Sequence, residues 1–299
     1  MKTKIKNLSP VVIFAYNRLE HLKKTIESLK KCKLSKNTNL IIYLDNYNKE
    51  SDKQRVINIK NFIHKIKGFK KITLIQRKKN LGMSKNIILG VSQTLKKFKK
   101  GIFLEDDMIL DKYFLEYMNF YLEFYKNNKK VSSIHGYSYP TNKALPEYFF
   151  LKGADCWGWA TWARAWKLYS NDSEYLLKKI NNKGLVKSFN FNNTYNYSSM
   201  LKKNLKKENS SWAINWYASC FLKNKLTLYP GKSLVHNIGN DLSGTNCGET
   251  DVFNVKLKNK PLKFNQVMVL ESEYAKKQFE EFFLSIMTLK DKFKRLFSV

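Results

Sequence analysis

The first half of the chain alternates short apolar runs with stretches of helical periodicity, and this alternation constrains the fold more than any other feature. Apolar runs at Pro10–Tyr16, Asn39–Asp45 and Lys71–Gln76 have the length of buried strands, and a fourth, GIFLEDD, covers residues 101–107. In the segments between them, apolar residues recur every three to four positions. Strands that alternate with helices at this spacing predict an α/β fold, with a mostly parallel sheet flanked by helices on both faces.

The character of the chain changes near residue 140. At 299 residues and 43% hydrophobic content, it is long enough for one large domain or for two that share a cleft. Beyond residue 140 it is richer in Trp, Asn, Ser and Gly and has weaker periodicity. We therefore predict an α/β half over 1–140, a loop-rich, substrate-facing half over 141–270 and an amphipathic C-terminal helix over 271–299.

The chain is strongly basic, with 55 Lys+Arg against 24 Asp+Glu and a net charge of +31. The lysines are spread along the whole chain, and no zinc-finger, RNP or helix-turn-helix pattern accompanies them. We expect a generic basic surface, attracted to anionic lipid or phosphorylated substrates, and no specific nucleic-acid partner.

The cysteines and the apolar segments indicate the compartment. Cys32, Cys156, Cys220 and Cys247 form no CxxC pair, which argues against a structural zinc site or a disulfide framework and suits a reducing cytoplasm. The run PVVIFAYNR is too short for a signal peptide, and no stretch approaches 18 apolar residues. We expect a cytoplasmic protein.

The C-terminal segment AKKQFEEFFLSIMTLKDKFKRLFSV has an amphipathic helical pattern. Its apolar side chains near one face are Phe279, Phe282, Phe283, Ile286, Phe293 and Phe297, and the basic ones outside that face are Lys290, Lys292, Lys294 and Arg295. The pattern suits either a helix packed on the domain or an anchor at the inner face of the cytoplasmic membrane.

Polar residues follow three of the predicted strands. Asn17 and Arg18 follow the first, Asp45 ends the second, and the acids Glu105–Asp107 end the fourth. Ligands of open parallel sheets bind beyond the carboxyl ends of the strands, so these side chains indicate a site. The three acids have no basic residue beside them in the sequence. We expect either a solvated turn or a positive charge that arrives with a ligand.

A divalent cation would supply that charge. Mg²⁺ and Mn²⁺ prefer oxygen ligands, and Mg²⁺ often takes only one or two carboxylates from the protein. A nucleoside diphosphate provides further oxygens, and the metal offsets the charge of the leaving diphosphate.

These motifs resemble those of a known family. PVVIFAYNR, the strand ending at Asp45, NLGMSKNIILG and the strand ending in EDD look like a GT-A-fold (Rossmann-like) glycosyltransferase, most of all the N-acetylglucosaminyltransferase I type. CWGWATWARAW and WAINWY…LTLYPGKSLVHNIGNDLSGTNC look like acceptor-side signatures of related bacterial sugar transferases. The resemblance covers roughly residues 8–250. It makes 1–140 the nucleotide-sugar-binding half and 141–270 the acceptor half of one GT-A domain.

The resemblance also implies roles for individual residues. Asp107 would be the main metal ligand, with Glu105 and Asp106 contacting ribose, base or metal-bound water, and Asp45 would lie near the uracil or ribose. We also predict Ser84 as the N-cap of the helix that covers the nucleotide. The remaining nucleotide-binding positions would be Ala15, Tyr16, Asn17, Arg18, Arg77, Asn80, Gly82 and Lys85.

The Trp-rich block has a physical interpretation of its own. Sugars present C–H faces that stack on aromatic rings, so Trp157 and Trp159 are candidates for donor contact. Core packing explains at least two of the four tryptophans of the block, which also include Trp162 and Trp166. Gly158 between two tryptophans suggests a close backbone approach, which we place at the donor sugar.

The catalytic base is where the chain departs from the family. In the N-acetylglucosaminyltransferase I type an acid directly follows a Trp in a segment like WAINWY, but here Ala213 occupies that position. Asp155, Glu208 and Asp241 are the substitutes, and we favour Asp155 because it adjoins the expected donor pocket. His236 is either a metal ligand, as a late histidine is in some relatives, or a structural residue. Inversion and retention both stay open.

The sequence therefore predicts a metal-dependent glycosyltransferase of the hexosyl- or N-acetylhexosaminyl-transferase type. It would use Mn²⁺ or Mg²⁺ and a nucleotide-sugar donor, expected to be UDP-linked. The acceptor would be a hydroxyl of a cell-surface glycan such as lipopolysaccharide or capsule, or of a lipid-linked precursor.

Two alternatives belong to other classes. A nucleotidyltransferase would need a Gly-rich phosphate loop after its first strand, and FAYNRLEH contains no glycine. A non-catalytic basic protein that binds nucleic acid or anionic lipid would leave the acidic cluster unexplained.

Overall fold

The computed structural model of the chain describes residues 7–206, 208, 210–243 and 250–288. The strands are β1 (Val11–Ala15), β2 (Asn39–Leu44), β3 (Lys71–Gln76), β4 (Lys100–Glu105), β5 (Met108–Leu110), β6 (Val131–His135), β7 (Tyr148–Lys152), β8 (Trp159–Trp162), β9 (Leu226–Pro230) and β10 (Val235–Asn237). The helices are α1 (Leu19–Lys31), α2 (Glu50–Lys65), α3 (Met83–Phe98), α4 (Phe114–Phe124), α5 (Ala163–Trp166), α6 (Ser173–Asn182), α7 (Val186–Phe189), α8 (Tyr197–Leu205), α9 (Trp212–Leu222) and α10 (Glu273–Ile286).

A central sheet of eight strands in the order β3-β2-β1-β4-β8-β6-β9-β7 organises the molecule. The four predicted strands form its parallel half, in which β1 pairs with both β2 and β4. The other half is mixed: β8 is antiparallel to β4 and to β6, and β7 is antiparallel to β9, while β6 and β9 are parallel. Strands from both sides of residue 140 share this one sheet, and the division of the chain near that residue stays a prediction.

The first three long helices form where the periodicity placed them. In α1, Leu22, Ile26 and Leu29 are buried on one face, as the spacing predicts. The N-cap of α3 was predicted two residues too late, because Gly82 rather than Ser84 precedes the helix. Gly82 has φ +75°, a backbone conformation that favours glycine, and its N–H is held by the Oδ1 of Asn80 at 3.1 Å.

Two hydrophobic clusters hold the layers together. The larger one fills the space between the sheet and its flanking helices. The smaller lies under α6–α10 and the outer strands, and its aromatic members include Phe189, Tyr217 and Phe279. The loop-rich second half therefore has a core of its own, which weak periodicity concealed.

The C-terminal helix α10 packs on this second cluster. Phe279, Phe282 and Phe283 are buried, and the rings of Phe279 and Phe283 each lie 4.9 Å from that of Tyr139. For residues 273–286 the structure shows the packed helix, because the domain covers the apolar face, and the membrane anchor stays a prediction. The basic part of the predicted amphipathic tail falls on residues 289–299, outside the described residues. None of the described helices has the length and apolar character that crossing a membrane requires.

Candidate active site

The predicted polar tips lie at one edge of the sheet. The register pairs Phe14 with Glu105 and Ala15 with Leu44, so the carboxyl ends of β1, β2 and β4 are level. Asn17, Arg18, Asp45 and the acidic cluster follow those ends directly.

The acidic cluster has a cationic partner from within the chain. Arg18 donates from Nη2 to an Oδ1 of Asp106 and, at 2.8 Å, to Oδ2 of Asp107. The three side chains are largely buried, with 17%, 5% and 10% exposed. The expectation that no basic residue neutralises the acids was therefore wrong. The cation comes from the turn after β1, which the parallel register places beside the end of β4.

The cluster still contains more negative than positive charge. Burial, together with the charges of Asp107 and Asp106, raises the pKa of Glu105 to about 8. Burial also raises the pKa of Asp106 to about 6, although the charge of Arg18 opposes the shift. Burial acts against the charge of Arg18 as well, but the two aspartates outweigh it and raise its pKa. The site therefore favours an added positive charge.

Two buried polar atoms of this ion pair have no hydrogen-bond partner among the described residues: Oδ1 of Asp107 and Nη1 of Arg18. The turn after β10 covers them. Ile238 donates its N–H to the backbone oxygen of Asp107 at 2.9 Å, and a Cβ on Gly239 would lie 2.1 Å from Oδ2 of that aspartate. Buried polar atoms are nearly always paired, so an unpaired acceptor beside an unpaired cationic donor suits a ligand with both a cation and an anion.

The residues present are compatible with a divalent cation. Oδ1 of Asp107 is an oxygen with no partner, and oxygen is the ligand that Mg²⁺ and Mn²⁺ prefer. The described residues contain no group of three His, Cys, Asp or Glu side chains arranged to hold a metal. A cation would therefore draw most of its ligands from solvent or from a phosphorylated ligand.

The turn after β1 is fixed by Asp52, a residue that the sequence reasoning missed. Its carboxylate accepts hydrogen bonds from the Tyr16 hydroxyl at 2.9 Å and from Nδ2 of Asn17 at 3.0 Å. These bonds from Asn17 and Tyr16 lower the pKa of Asp52. Asp52 lies in the first turn of α2. Its position near the start of a helix, after a strand with a polar tip, is the signal that could have identified it.

Asp45 organises the neighbouring loop. It is buried, and its Oδ1 accepts the N–H groups of Asn46 and Leu81, each at 2.9 Å. Nδ2 of Asn80 donates to the backbone oxygen of Asn46 at 2.6 Å. Asp45 therefore joins the end of β2 to the loop that leads into α3, and the chain's own amides already occupy its Oδ1.

Arg77 lies at the other end of that loop. Its guanidinium lies 4.7 Å from the centre of the Tyr43 ring, and its Nε donates to Oδ1 of Asn86 at 2.8 Å. Lys85 is exposed in the first turn of α3. The loop is therefore anchored by Arg77, whereas Lys85 remains free to reach into solvent.

The Trp-rich block divides into a surface part and a core part. Trp157 is half-buried, 4.8 Å from the ring of Tyr137 and 5.6 Å from that of Phe253. The side chain of Trp159 is buried and packs on Phe103 at 4.9 Å, so it cannot stack on a donor sugar as predicted. Trp162 and Trp166 are buried too, as core packing predicts.

Gly158 makes its close approach to the protein itself. Its φ is +65°, its oxygen accepts the N–H of Gly136 at 2.7 Å, and a Cβ would lie 2.7 Å from Val235. The absent side chain therefore allows the block to dock against β10 and the segment after β6.

Of the base candidates, Asp155 lies at the same edge as the acidic cluster. Phe103 of β4 pairs with Trp159 of β8, and Trp159 pairs with His135 of β6. Asp155 precedes β8 by a few residues, so it lies at the edge where β4 ends. Its Oδ1 accepts the Cys156 N–H at 2.9 Å, and its Oδ2 accepts the Tyr139 hydroxyl at 3.3 Å.

The other candidates have different surroundings. Glu208 follows α8 and is more than half exposed, with Nζ of Lys206 at 3.9 Å. Asp241 accepts hydrogen bonds from Ser243 and lies 2.9 Å from Nε2 of His21. The bonds from Ser243, then the charge and bond of His21, lower the pKa of Asp241 to about 2, which makes it a weak proton acceptor.

His236 lies on β10, in the short sheet that pairs with the strand after the acidic cluster. Its Nδ1 accepts the N–H of Val255 at 3.4 Å, and burial lowers its pKa. The ring is thus neutral at physiological pH, as a metal ligand must be, and a structural role explains its contacts equally well.

Part of the chain matches a known protein family in sequence. The sequence profile described as Glycosyl transferase family 2 matches residues 11–181, more than half of the chain and including the acidic cluster. A search of curated proteins gives no match.

Similar solved structures include the mannosyltransferase PcManGT from Pyrobaculum calidifontis in complex with GDP-Man and Mn²⁺. Its identity is 7% and its TM-score 0.32, over 44% of this chain and 36% of that one. A second is S. aureus TarS 1-349 in complex with UDP, at 13% identity and a TM-score of 0.42, over 76% of this chain and 60% of that one. The chain thus spans less than two thirds of the length of either protein.

Proposed function

The chain belongs to glycosyl transferase family 2 and has the GT-A fold, and from this premise we propose that it transfers a sugar from a nucleotide donor, UDP-linked, to a hydroxyl of a cell-surface glycan. The observation that carries the proposal is the unpaired Oδ1 of Asp107 beside the unpaired Nη1 of Arg18. One accepts a cation and the other donates to an anion, and a nucleoside diphosphate with its divalent cation combines the two.

Different residues around this pair would bind different parts of the donor. Asp107 would hold Mn²⁺ or Mg²⁺ through Oδ1, and His236 is the second candidate ligand. A cation bound there supplies Lewis-acid stabilisation of the charge that develops on the leaving diphosphate. Arg18 adds a hydrogen bond from Nη1 to a phosphate oxygen, while its Nη2 keeps both aspartates in place.

The nucleoside would lie against the turn after β1. Tyr16 and Asn17 are held there by Asp52, so their positions are fixed before the donor binds. The resemblance to the N-acetylglucosaminyltransferase I type adds Asp45, Asn80 and Gly82 on the side of α3. Trp157 remains as the half-buried aromatic surface for the sugar.

Asp155 is the base that we propose. It lies at the edge of the sheet that carries the donor site, and its side chain is 22% exposed, which leaves it accessible to an acceptor hydroxyl. In the reaction the acceptor O–H bond breaks and its proton passes to Asp155. The acceptor oxygen bonds to the anomeric carbon, and the bond between that carbon and the diphosphate oxygen breaks.

The acceptor is the part of the proposal that the basic composition supports. A net charge of +31 attracts anionic surfaces, including the lipid surface that carries lipid-linked glycan precursors. We propose such an acceptor and a location at the inner face of the cytoplasmic membrane.

The test measures UDP affinity by calorimetry with and without Mn²⁺ for the wild type and for Asp107→Asn. We expect Mn²⁺ to strengthen UDP binding by the wild type and to have no effect on the variant, because the amide loses the negative charge. Asp251→Asn is the matched control, since that aspartate is exposed and bonds to the nearby Asn254. Equal affinities for wild type and Asp107→Asn under both conditions would refute the metal assignment. Thermal shift with a set of nucleotide sugars then identifies the donor.

A further inference from the structure

His135 is a buried titratable residue that the proposed donor site does not use. It ends β6 and has no exposed surface, and its ring contacts that of Tyr229 at 5.0 Å. Its Nε2 accepts the backbone N–H of Trp157 at 3.1 Å. A ring nitrogen that accepts a hydrogen bond carries no proton, so the neutral ring holds its proton on Nδ1.

The protonation state follows from the surroundings. Burial lowers the pKa of His135, although the nearby Asp155 and the backbone of Tyr137 and Trp157 oppose the shift. The ring is therefore neutral at physiological pH, with a single N–H.

That nitrogen lies near the proposed base. Among the described residues Nδ1 of His135 has no hydrogen-bond partner, and it lies 3.9 Å from Oδ2 of Asp155, the oxygen that also accepts the Tyr139 hydroxyl. A buried N–H without a partner is destabilising, so its placement beside a carboxylate requires an explanation. Hydrogen bonds of a catalytic group are often long in the free enzyme and shorten in the complex.

The other groups that face Asp155 are phenols rather than cations. Its charge contributes to raising the pKa of tyrosines on several elements, after burial as the main cause. These tyrosines are Tyr137, Tyr139, Tyr197, Tyr217 and Tyr229. At neutral pH they are uncharged, so Asp155 depends on neutral donors for its orientation.

We propose that His135 is a positioning residue: its Nδ1–H orients and stabilises the ionised carboxylate of Asp155, while its Nε2 fixes the backbone of Trp157 at the donor-sugar surface. This inference rests on the proposed function, in which Asp155 is the base. His135 keeps its own proton throughout, and the proton of the acceptor hydroxyl ends on Asp155. One ring thus couples the placement of the base to that of the sugar-facing loop.

Two substitutions separate the two nitrogens. In His135→Asn the side-chain amide lies near the position of Nδ1 and can donate to Asp155, but it does not reach the amide of Trp157. In His135→Gln the amide reaches the position of Nε2 and can accept from Trp157, but it leaves Asp155 without its donor. His64→Gln, on the exposed surface of α2, is the matched control.

The first measurement needs no substrate. The chain has four histidines, so ¹⁵N-labelled rings give few signals, and His135 is the one that disappears in His135→Gln. We expect its ring to be neutral at pH 8 with the proton on Nδ1, because burial lowers its pKa from the ordinary value of about 6.5. We also expect its Nδ1–H signal to move in Asp155→Asn. A proton on Nε2, or an Nδ1–H signal that does not move in Asp155→Asn, would overturn the inference.

The second measurement is turnover, followed as UDP release from UDP-N-acetylglucosamine and UDP-glucose, with calorimetric UDP affinity in parallel. We expect kcat of His135→Gln to fall by about a hundredfold, the cost of a misplaced catalytic group. UDP affinity should be unchanged, and the acid limb of the kcat profile should move to higher pH, because the carboxylate has lost a donor that stabilises its ionised form. His135→Asn should keep the wild-type acid limb. In the double variant with Asp155→Asn, the His135→Gln loss should disappear.

The outcomes separate this inference from the proposed function. If the wild type neither binds UDP nor turns over, the proposed function fails, while the NMR result still tests the contact with Asp155. If Asp155→Asn loses turnover but His135→Gln does not, the base stands and the role of His135 is refuted. Equal losses in both His135 variants, with an unchanged pH profile, would reduce His135 to a structural residue and overturn the inference.

Discussion

Replacing Arg18 with Gln would test the electrostatic account of the acidic cluster. The substitution removes the cation that holds Asp106 and Asp107 and leaves their carboxylates in a largely buried position. Removing one partner of a buried ion pair costs about 3–5 kcal/mol. Arg18 is 17% exposed and Gln keeps one amide donor, so we expect a loss of about 3 kcal/mol in the free energy of unfolding at pH 8.

The loss should depend on pH in a defined direction. Burial raises the pKa of Asp106 from 3.8 to about 6 against the opposing effect of Arg18, so removing Arg18 raises it further. The folded variant then binds more protons than the folded wild type, and its stability relative to the wild type falls as the pH rises through about 6. At pH 5 the protonated Asp106 needs no counter-ion, and the loss should be smaller.

Urea unfolding at pH 5 and pH 8, followed by tryptophan fluorescence, measures both losses. Arg55→Gln is the control, because Arg55 is 67% exposed and 3.9 Å from Asp52, where an ion pair contributes little. A loss for Arg18→Gln that equals that of the control, or that is the same at both pH values, would refute the account.

Three further substitutions test the packing and the nucleotide wall. Gly153→Ala should lower the free energy of unfolding by more than about 2 kcal/mol, because φ is +89° and a Cβ would lie 2.3 Å from the Tyr217 ring. Gly184→Ala has a similar φ of +63° but no atom within 4 Å of a Cβ, so it should lose about 1 kcal/mol. Equal losses in urea unfolding would contradict the packing. Phe279→Ala should lose about 3–5 kcal/mol of stability without changing sedimentation with anionic vesicles. Unchanged stability with reduced vesicle sedimentation would mean that α10 faces a membrane. Asp52→Asn should weaken UDP binding by about tenfold with a small loss of thermal stability, because the charged acceptor for Tyr16 and Asn17 is lost. An unchanged calorimetric affinity would show that this wall does not touch the nucleotide.

Much of the parallel half of the fold could be predicted from the sequence. β1, β2 and β4 carry continuous apolar runs because both their faces are buried, whereas β3, at the edge of the sheet, is only partly buried. The helices between the strands repeat apolar residues on one face. The mixed half could not be predicted this way. There, short strands such as β8 and β7 pair with strands distant in the sequence, and the local pattern does not specify which.

The candidate site shows the same limit. The polar tips of three strands could be placed at one edge because parallel strands end together. The roles within the cluster could not be assigned, because the Arg18 guanidinium reaches Asp106 and Asp107 across nearly ninety positions of chain. Trp159 was assigned to the donor pocket, yet all of β8 is buried and its ring lies in the core.

By itself, then, the sequence determined the strands β1–β4, the helices between them, and that an acidic turn follows β4, since these depend on local periodicity and on residues adjacent in the chain. Only the tertiary structure decided what surrounds that turn. It brought Arg18 to the acids, covered them with the turn after β10, and placed His135 beside Asp155. Each of these contacts joins residues that the chain separates, and their geometry depends on the register and packing of the whole sheet.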